Sequence, residues 1–395
     1  MIAADVDARL RAEVARAVPG MVETRRVLHR HPEPAHQEHR TAELAAERCR
    51  ELGYAVRTGV GGTGVLAEIG GNGPGPTVLY RADMDALPVE ERDDGRPVRS
   101  EAPGLMHACG HDAHVAIALG VAAVMASLRD GWGGRLRLCF QPAEEVAQGA
   151  VPMIEEGALE GVDRALGIHV WSGLESGRVA VTAGPFFASA DEFRIVVRGR
   201  GGHGALPHLS VDPVLAAAEV VVALQSLVAR EVAPDRAAVV TVGVIRGGRA
   251  FNVIAEEVEL RGTVRAPDEA LRRRLLARVE GMARGVAAAF RAEADYELVA
   301  GTPAVVNDAA VAETVRRAAV EALGAEHVDV AQPLTIGDDM AYFLERVPGC
   351  YFLVGVGDPG RAERPPHHHP AFDLDERALG PGLHAVTRAL LHSLG

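Results

Sequence analysis

Lysine is absent from all 395 residues, so each of the 41 basic side chains is an arginine. Pyridoxal-phosphate chemistry needs a lysine amine for its Schiff base, and a phosphate-binding P-loop needs a lysine of its own. Both are excluded. There are only four cysteines (Cys49, Cys109, Cys139 and Cys350), too few for a disulfide framework in a chain of this length. Long hydrophobic runs are missing too. No apolar stretch reaches the roughly 18 residues free of charge and turn signals that a transmembrane helix needs. The opening MIAADVDARLRAEV carries Asp5, Asp7 and Arg9 where a secretory leader needs an apolar core. These features predict a cytoplasmic protein. Positive charge is also in deficit: 41 basic against 54 acidic side chains leave a net charge of −13. That argues against general binding of nucleic acid or anionic membrane.

What is present is the composition of a globular protein, 48% hydrophobic and 24% charged. The length suggests two domains. Helical spacing covers residues 7–29 and 38–52, with Gly53 as C-cap. Short apolar runs at Val65–Ile69, Val78–Tyr80, Leu136–Phe140 and Ala165–His169 predict strands. Asp112 is the predicted N-cap of a helix over Ala113–Leu128. Helices alternating with strands predict an α/β fold. The middle of the chain has a complete grammar of its own. Strands Glu192–Arg198, Ala238–Ile245, Val258–Val264 and Ala294–Val299 alternate with helices Pro213–Arg230 and Asp268–Phe290. This β-α-β-β-α-β order is ferredoxin-like. It reads as an insertion, residues 185–301, into an outer α/β domain made of 1–184 and 302–395.

Two glycine patterns, GVGGTG (Gly59–Gly64) and GVGDPG (Gly355–Gly360), match a dinucleotide fingerprint by letter only. The first leads into a strand and the second into Pro359, so both predict turns. Stronger chemistry sits elsewhere. In MHACGHDAH (106–114), Cys109 and His111 stand two apart. On an extended segment they point the same way, which suits a divalent transition metal. The bland alternative is a buried free cysteine beside a helix-capping His-Asp pair. In QPAEE (141–145), Pro142 ends a strand and frees Glu144 and Glu145 to turn toward one site. One can bind metal and the other act as general base; alone, the pair reads as a solvated acidic loop. His169 in GIHVW and the triple His367–His369 before Pro370 complete the set, with a core histidine and a surface loop as the alternatives. Together Cys, His, Glu, His and His suit a two-metal site.

At this point the chain resembles the metal-dependent amidohydrolases that include hippurate hydrolases, N-acyl-amino-acid amidohydrolases and indole-acetyl-amino-acid hydrolases. These belong with the aminoacylase and carboxypeptidase-G type di-metal peptidases. The matching stretches are RADMDALPVEE (81–91), PGLMHACGHDAHVA (103–116), QPAEE, GIHVW, GRGGHGALPH (199–208), FNVIA (251–255) and HHPAFDLDE (368–376). The resemblance implies a catalytic α/β domain with a mixed central sheet flanked by helices, and an inserted lid and dimerisation domain. It implies two divalent ions (Zn, Mn, Co or Ni) on Cys109, His111, Glu145, His169 and His368, the last from the family's His-x-Pro pattern. Glu144 becomes the general base and Asp85 the residue orienting a ligand histidine. His203 and Asn252 of the lid would contact the substrate, an N-acyl amino acid cleaved to a carboxylic acid and a free amino acid. A homodimer through the inserted domain follows as well. The segment IGDDMAYF (336–343) and the VAQGA after QPAEE depart from the family's usual residues and bear on specificity. Other readings remain: a dipeptidase or an N-acetyl-diaminopimelate-type deacetylase of the same superfamily, a hydrolase with Cys109 as nucleophile, and a non-catalytic amino-acid binder.

Overall fold

The computed structural model describes residues 4–395. The chain forms two compact units. The first runs to Gly184 and resumes over Val306–Gln332 and Asp339–Gly395; the second is Pro185–Val305 with Pro333–Asp338.

The first unit is built on an eight-stranded sheet. Its spatial order is Ala55–Val60, Gly64–Gly70, Arg135–Gln141, Thr77–Asp83, Arg164–Glu175, Gly349–Gly357, Val179–Val181, Val328–Val330. The four central strands are parallel, while the pairings of Gly64–Gly70 with Arg135–Gln141 and of Gly349–Gly357 with Val179–Val181 are antiparallel. The sheet is therefore mixed, and helices flank it. Strand periodicity divides the labour of the central strands. Val78, Tyr80, Leu136, Leu138, Phe140, Ile168, Val170, Phe352 and Val354 join one apolar core with residues of helices Ala4–Arg30, His111–Ser127 and Leu379–Leu394. The alternate positions carry Arg81, Asp83, Gln141, His169 and Tyr351, all buried. The polar residues of the site thus ride on strands anchored by their apolar neighbours.

The helix His111–Ser127 is apolar on nearly every side, and its residues are buried from His111 through Ala122. A helix hydrophobic all round belongs inside a core. It begins earlier than expected, and Asp112 is not its N-cap. Gly110 takes that position at φ 90°, and Asp112 lies in the first turn, with its carboxylate in an ion pair with Arg25 at 2.9 Å. Cys109 and His111 are consequently not neighbours on an extended segment; a left-handed glycine separates them. The strand expected over Ala165–His169 runs on to Glu175. The second helix is His39–Glu51 rather than 38–52, and its C-cap is Leu52 rather than Gly53, which follows at φ 84°.

The second unit is a four-stranded sheet in the order Val239–Gly247, Glu257–Arg265, Ala190–Arg198, Glu293–Thr302, with every neighbouring pair antiparallel. Helices Pro213–Glu231 and Glu269–Ala289 bury Ala217, Val220, Leu224, Leu275 and Val279 in a core shared with Phe193, Ile195 and Val197. Both helices are capped by aspartate: Asp212 accepts from the Val214 amide at 2.9 Å, and Asp268 from that of Leu271 at 2.9 Å. Pro213 at the first helical position needs no amide partner. This first helix is long and apolar enough, by length and composition alone, to cross a membrane. It contains Glu219, and its Ala216, Ala217, Val220, Leu224 and Leu227 are buried.

Candidate metal centre

The carboxyl ends of the central parallel strands lead to the site. Thr77–Asp83 continues into Asp85, and Arg135–Gln141 into Glu144 and Glu145. Arg164–Glu175 carries His169, and the chain beyond Gly349–Gly357 leads to His368. Strand order reverses between Thr77–Asp83 and Arg164–Glu175, and such switch points are where open α/β sheets hold ligands.

There the fold brings Cys109, His111, Glu145, His169 and His368 together. Cys109 Sγ lies 3.5 Å from His169 Nε2, and donor atoms of Cys109, Glu145 and His368 fall within 4.8 Å of one another. His368 Nε2 is 3.4 Å from Glu145 Oε2. His111 Nε2 is 3.8 Å from Glu145 Oε1 and 3.9 Å from Glu144 Oε2. Gly110 makes this convergence possible. A Cβ added there would stand 2.5 Å from Val170 Cγ2, in a left-handed backbone that only glycine adopts freely. Gly110→Ala is expected to cost about 2–4 kcal/mol, the sum of left-handed strain and overpacking. A denaturant titration checks this, and an unchanged midpoint would show that the segment relaxes freely.

Two histidines have their tautomer set by a carbonyl. His111 Nδ1–H donates to Asp85 O at 2.8 Å, and His169 Nδ1–H to Val170 O at 2.6 Å. In the neutral ring each places its proton on Nδ1 and makes Nε2 the acceptor nitrogen, the arrangement a metal-ligating imidazole needs. His111 Nε2 and Glu145 Oε1 are both buried without a hydrogen-bond partner. Two such atoms facing one another are costly unless a cation lies between them. The donor set therefore fits divalent metal.

Electrostatics point the same way. Burial, with Asp85 and Asp83 nearby, raises the Glu145 carboxyl to about 7, although His111 opposes this. Burial and the carboxylates of Glu145, Glu144 and Asp83 push the Cys109 thiol well above its usual range. Burial would lower His111, yet Asp83, Asp85 and Glu145 hold it at about 10. Without metal the cluster retains protons that a cation displaces.

The Asp85 side chain also holds the two glutamates. Its Oδ1 accepts the Glu144 amide and its Oδ2 the Glu145 amide, each at 3.0 Å, while Oδ1 lies 3.4 Å from His111 Nδ1. The turn ahead of the glutamates is bent at Ala143, a fully buried residue at φ 52° whose amide donates to Glu38 at 2.9 Å. Strain of this kind gathers where a side chain must be aimed.

Sequence reasoning assigned no role to Asp83, His114, His367 or Arg81. Asp83 hydrogen-bonds His114 Nδ1, and His114 Nε2 accepts the Val170 amide at 2.9 Å. The three-residue spacing of His111 and His114, one face of a helix, was the available signal. Arg81 is fully buried and pairs with Asp83 and, at 2.7 Å, with Asp339. His203 and Asn252 lie in the second unit. His203 pairs with Val253 in a two-stranded ribbon, and Gly204 N donates to Asn252 O at 2.8 Å.

Residues 79–392 match peptidase family M20/M25/M40. The N-acetyl-L-cysteine deacetylase of Bacillus subtilis is 40% identical over 360 residues, 91% of this chain and 84% of its own. The B. subtilis YXEP protein, described as a dinuclear metal binding peptidase from the M20 family, superposes with a TM-score of 0.85 at 33% identity over 96% of this chain and 99% of its own. A methicillin-resistant Staphylococcus aureus structure does so at 0.94 and 35%, over 98% of this chain and 100% of its own. The chain belongs to peptidase family M20/M25/M40.

Proposed function

We propose that this metal-dependent amidohydrolase cleaves the amide bond of N-acyl amino acids (N-acetyl, N-benzoyl or other aryl-acyl) to a carboxylic acid and a free amino acid. The observation that carries the reading is the Glu144–Glu145 pair, fixed by one aspartate beside a cation-ready cluster. Cys109, His111, Glu145, His169 and His368 would hold two divalent ions. When bound, these supply Lewis acidity at the carbonyl and acidify water. Glu144 takes the proton from the attacking water and delivers it to the leaving amine. His203 stabilises the developing oxyanion, and Asn252 holds the substrate. The name of the deacetylase relative supports the N-acyl class.

The second unit serves as lid and dimerisation domain in this reading. The antiparallel order of its sheet, with each helix joining two parallel strands across a skipped one, supports a ferredoxin-like insertion at about residues 185–301. The four cysteines described are all unpaired, which supports the cytoplasm as its compartment. A cysteine-nucleophile mechanism fits less well, because Cys109 is buried among carboxylates that keep it protonated.

Amino-acid release from N-acetyl, N-benzoyl and N-indolylacetyl amino acids, with added Mn²⁺ or Zn²⁺ and again with chelator, tests the reading. Release that chelator abolishes is expected. Release insensitive to chelator would return the chemistry to Cys109, and no release from any of the three classes would move the substrate to a dipeptide or a specialised N-acetyl intermediate.

A further inference from the structure

His367 is chemically able to be a ligand. Its donor atom lies within 4.8 Å of those of Cys109 and His169, and it is the residue before His368. Both of its ring nitrogens, however, are already in use. Nδ1–H donates to the Cys109 carbonyl at 3.1 Å, and the Ser172 amide donates to Nε2 at 3.3 Å. The ring is stacked on Trp171, 4.7 Å between centroids, and Phe372 lies 4.7 Å away. The next residue repeats the pattern, since the His368 amide donates to the Ala108 carbonyl at 2.9 Å. Residues 367 and 368 thus clip onto residues 109 and 108 in two successive rungs. One rung is made by a side chain and the other by backbone. His368 itself is at φ 66°, a left-handed conformation uncommon for residues other than glycine.

We propose that His367 is a positioning residue of the metal centre, a neutral imidazole that bridges the Cys109 and Ser172 backbones and so fixes the distance between the segments bearing Cys109 and His368. It acts through those two residues and contributes no metal bond of its own. To become a ligand, Nε2 would have to release the buried Ser172 amide, and that amide would lose its acceptor. The inference rests on the ligand set given under the proposed function.

The test uses the full-length chain and two variants, His367→Gln and His367→Phe. Glutamine keeps a donor and an acceptor; phenylalanine keeps only the stack. Each apo protein is titrated with Zn²⁺ against a chromophoric chelator, and the melting midpoint of each is recorded without metal. Both variants should still take up two equivalents at saturation. Affinity should fall about 10–100-fold for phenylalanine, the usual loss when a residue supporting a ligand is removed, and less for glutamine. The apo midpoint of the phenylalanine variant should fall modestly, because the Ser172 amide loses its acceptor, and that of the glutamine variant less. Loss of one whole equivalent in both variants would make His367 a ligand and overturn the proposal. Wild-type affinity in the phenylalanine variant would overturn it as well. A wild-type chain that binds no Zn²⁺ would instead sink the ligand set itself, before the variants are compared.

Discussion

Glu144→Gln is expected to leave metal content unchanged and to lower kcat about a thousandfold. The substitution conserves shape and leaves the Glu144 amide on Asp85. Glu145, whose carboxylate groups with Cys109 and His368, is not touched. In its proposed role as base, Glu144 would lose only the capacity to take a proton from water and pass it to the amine, and such general base catalysis is worth about 10²–10⁴ in rate. Because the loss falls on the chemical step, kcat should drop while KM changes little. Metal analysis and amino-acid release on the same preparation check both halves. Retained turnover would show that another group is the base. A fall in bound metal would show that Glu144 is a ligand, a reading its 3.9 Å approach to His111 Nε2 makes worth excluding.

What the sequence could disclose followed from how local each signal was. The QPAEE turn announces itself through Pro142, and the strand does end at Gln141. The two Asp-capped helices of the second unit carry their start signals in adjacent residues; the first begins at Pro213 as expected, and the second at Glu269, one residue after the expected Asp268, which caps it. Asp112 went astray for the converse reason. Aspartate is a good N-cap by rule, but the close approach of Val170 requires Gly110 there, and that contact spans sixty residues. The strands Val179–Val181 and Val328–Val330 have three residues each, too few for alternation to register. Segment Pro333–Asp338 packs with the second unit although it follows the return to the first. Arg81 is the sharpest case. An arginine within a strand reads as half-exposed, and nothing nearby shows that its partner is Asp339. Burying that charge is tolerable only because Asp83 and Asp339 both neutralise it. For the site, individual motifs gave weak signals, and their coincidence gave a strong one. The tautomers of His111 and His169 depend on carbonyls that only the folded sheet supplies.

Asp85→Ala should affect both functions that Glu144→Gln separates. One carboxylate accepts two consecutive amides, so its removal leaves the Glu144 and Glu145 amides without that acceptor. The nearby His111 also loses the Oδ1 atom 3.4 Å from its Nδ1, keeping only the backbone carbonyl. Each lost charged hydrogen bond costs about 1.5–3 kcal/mol, so the turn beyond Gln141 is expected to relax from its strained Ala143 geometry. Metal affinity should fall about 10–100-fold as Glu145 and His111 lose their aim. Turnover at saturating metal should fall a further hundredfold or more if, as proposed, Glu144 is the base and drifts from the attacking water. Asp85→Asn divides the effect. Its amide oxygen can still accept one of the two backbone amides, but its NH₂ must face the other, donor against donor. It should lie between wild type and alanine in metal affinity and close to alanine in rate. Zn²⁺ competition and kcat at saturating metal measure the two losses independently. If Asp85→Ala lost only rate and kept wild-type affinity, the carboxylate would be acting on Glu144 alone. If it lost only affinity, Glu144 would not need its anchored amide to work as a base.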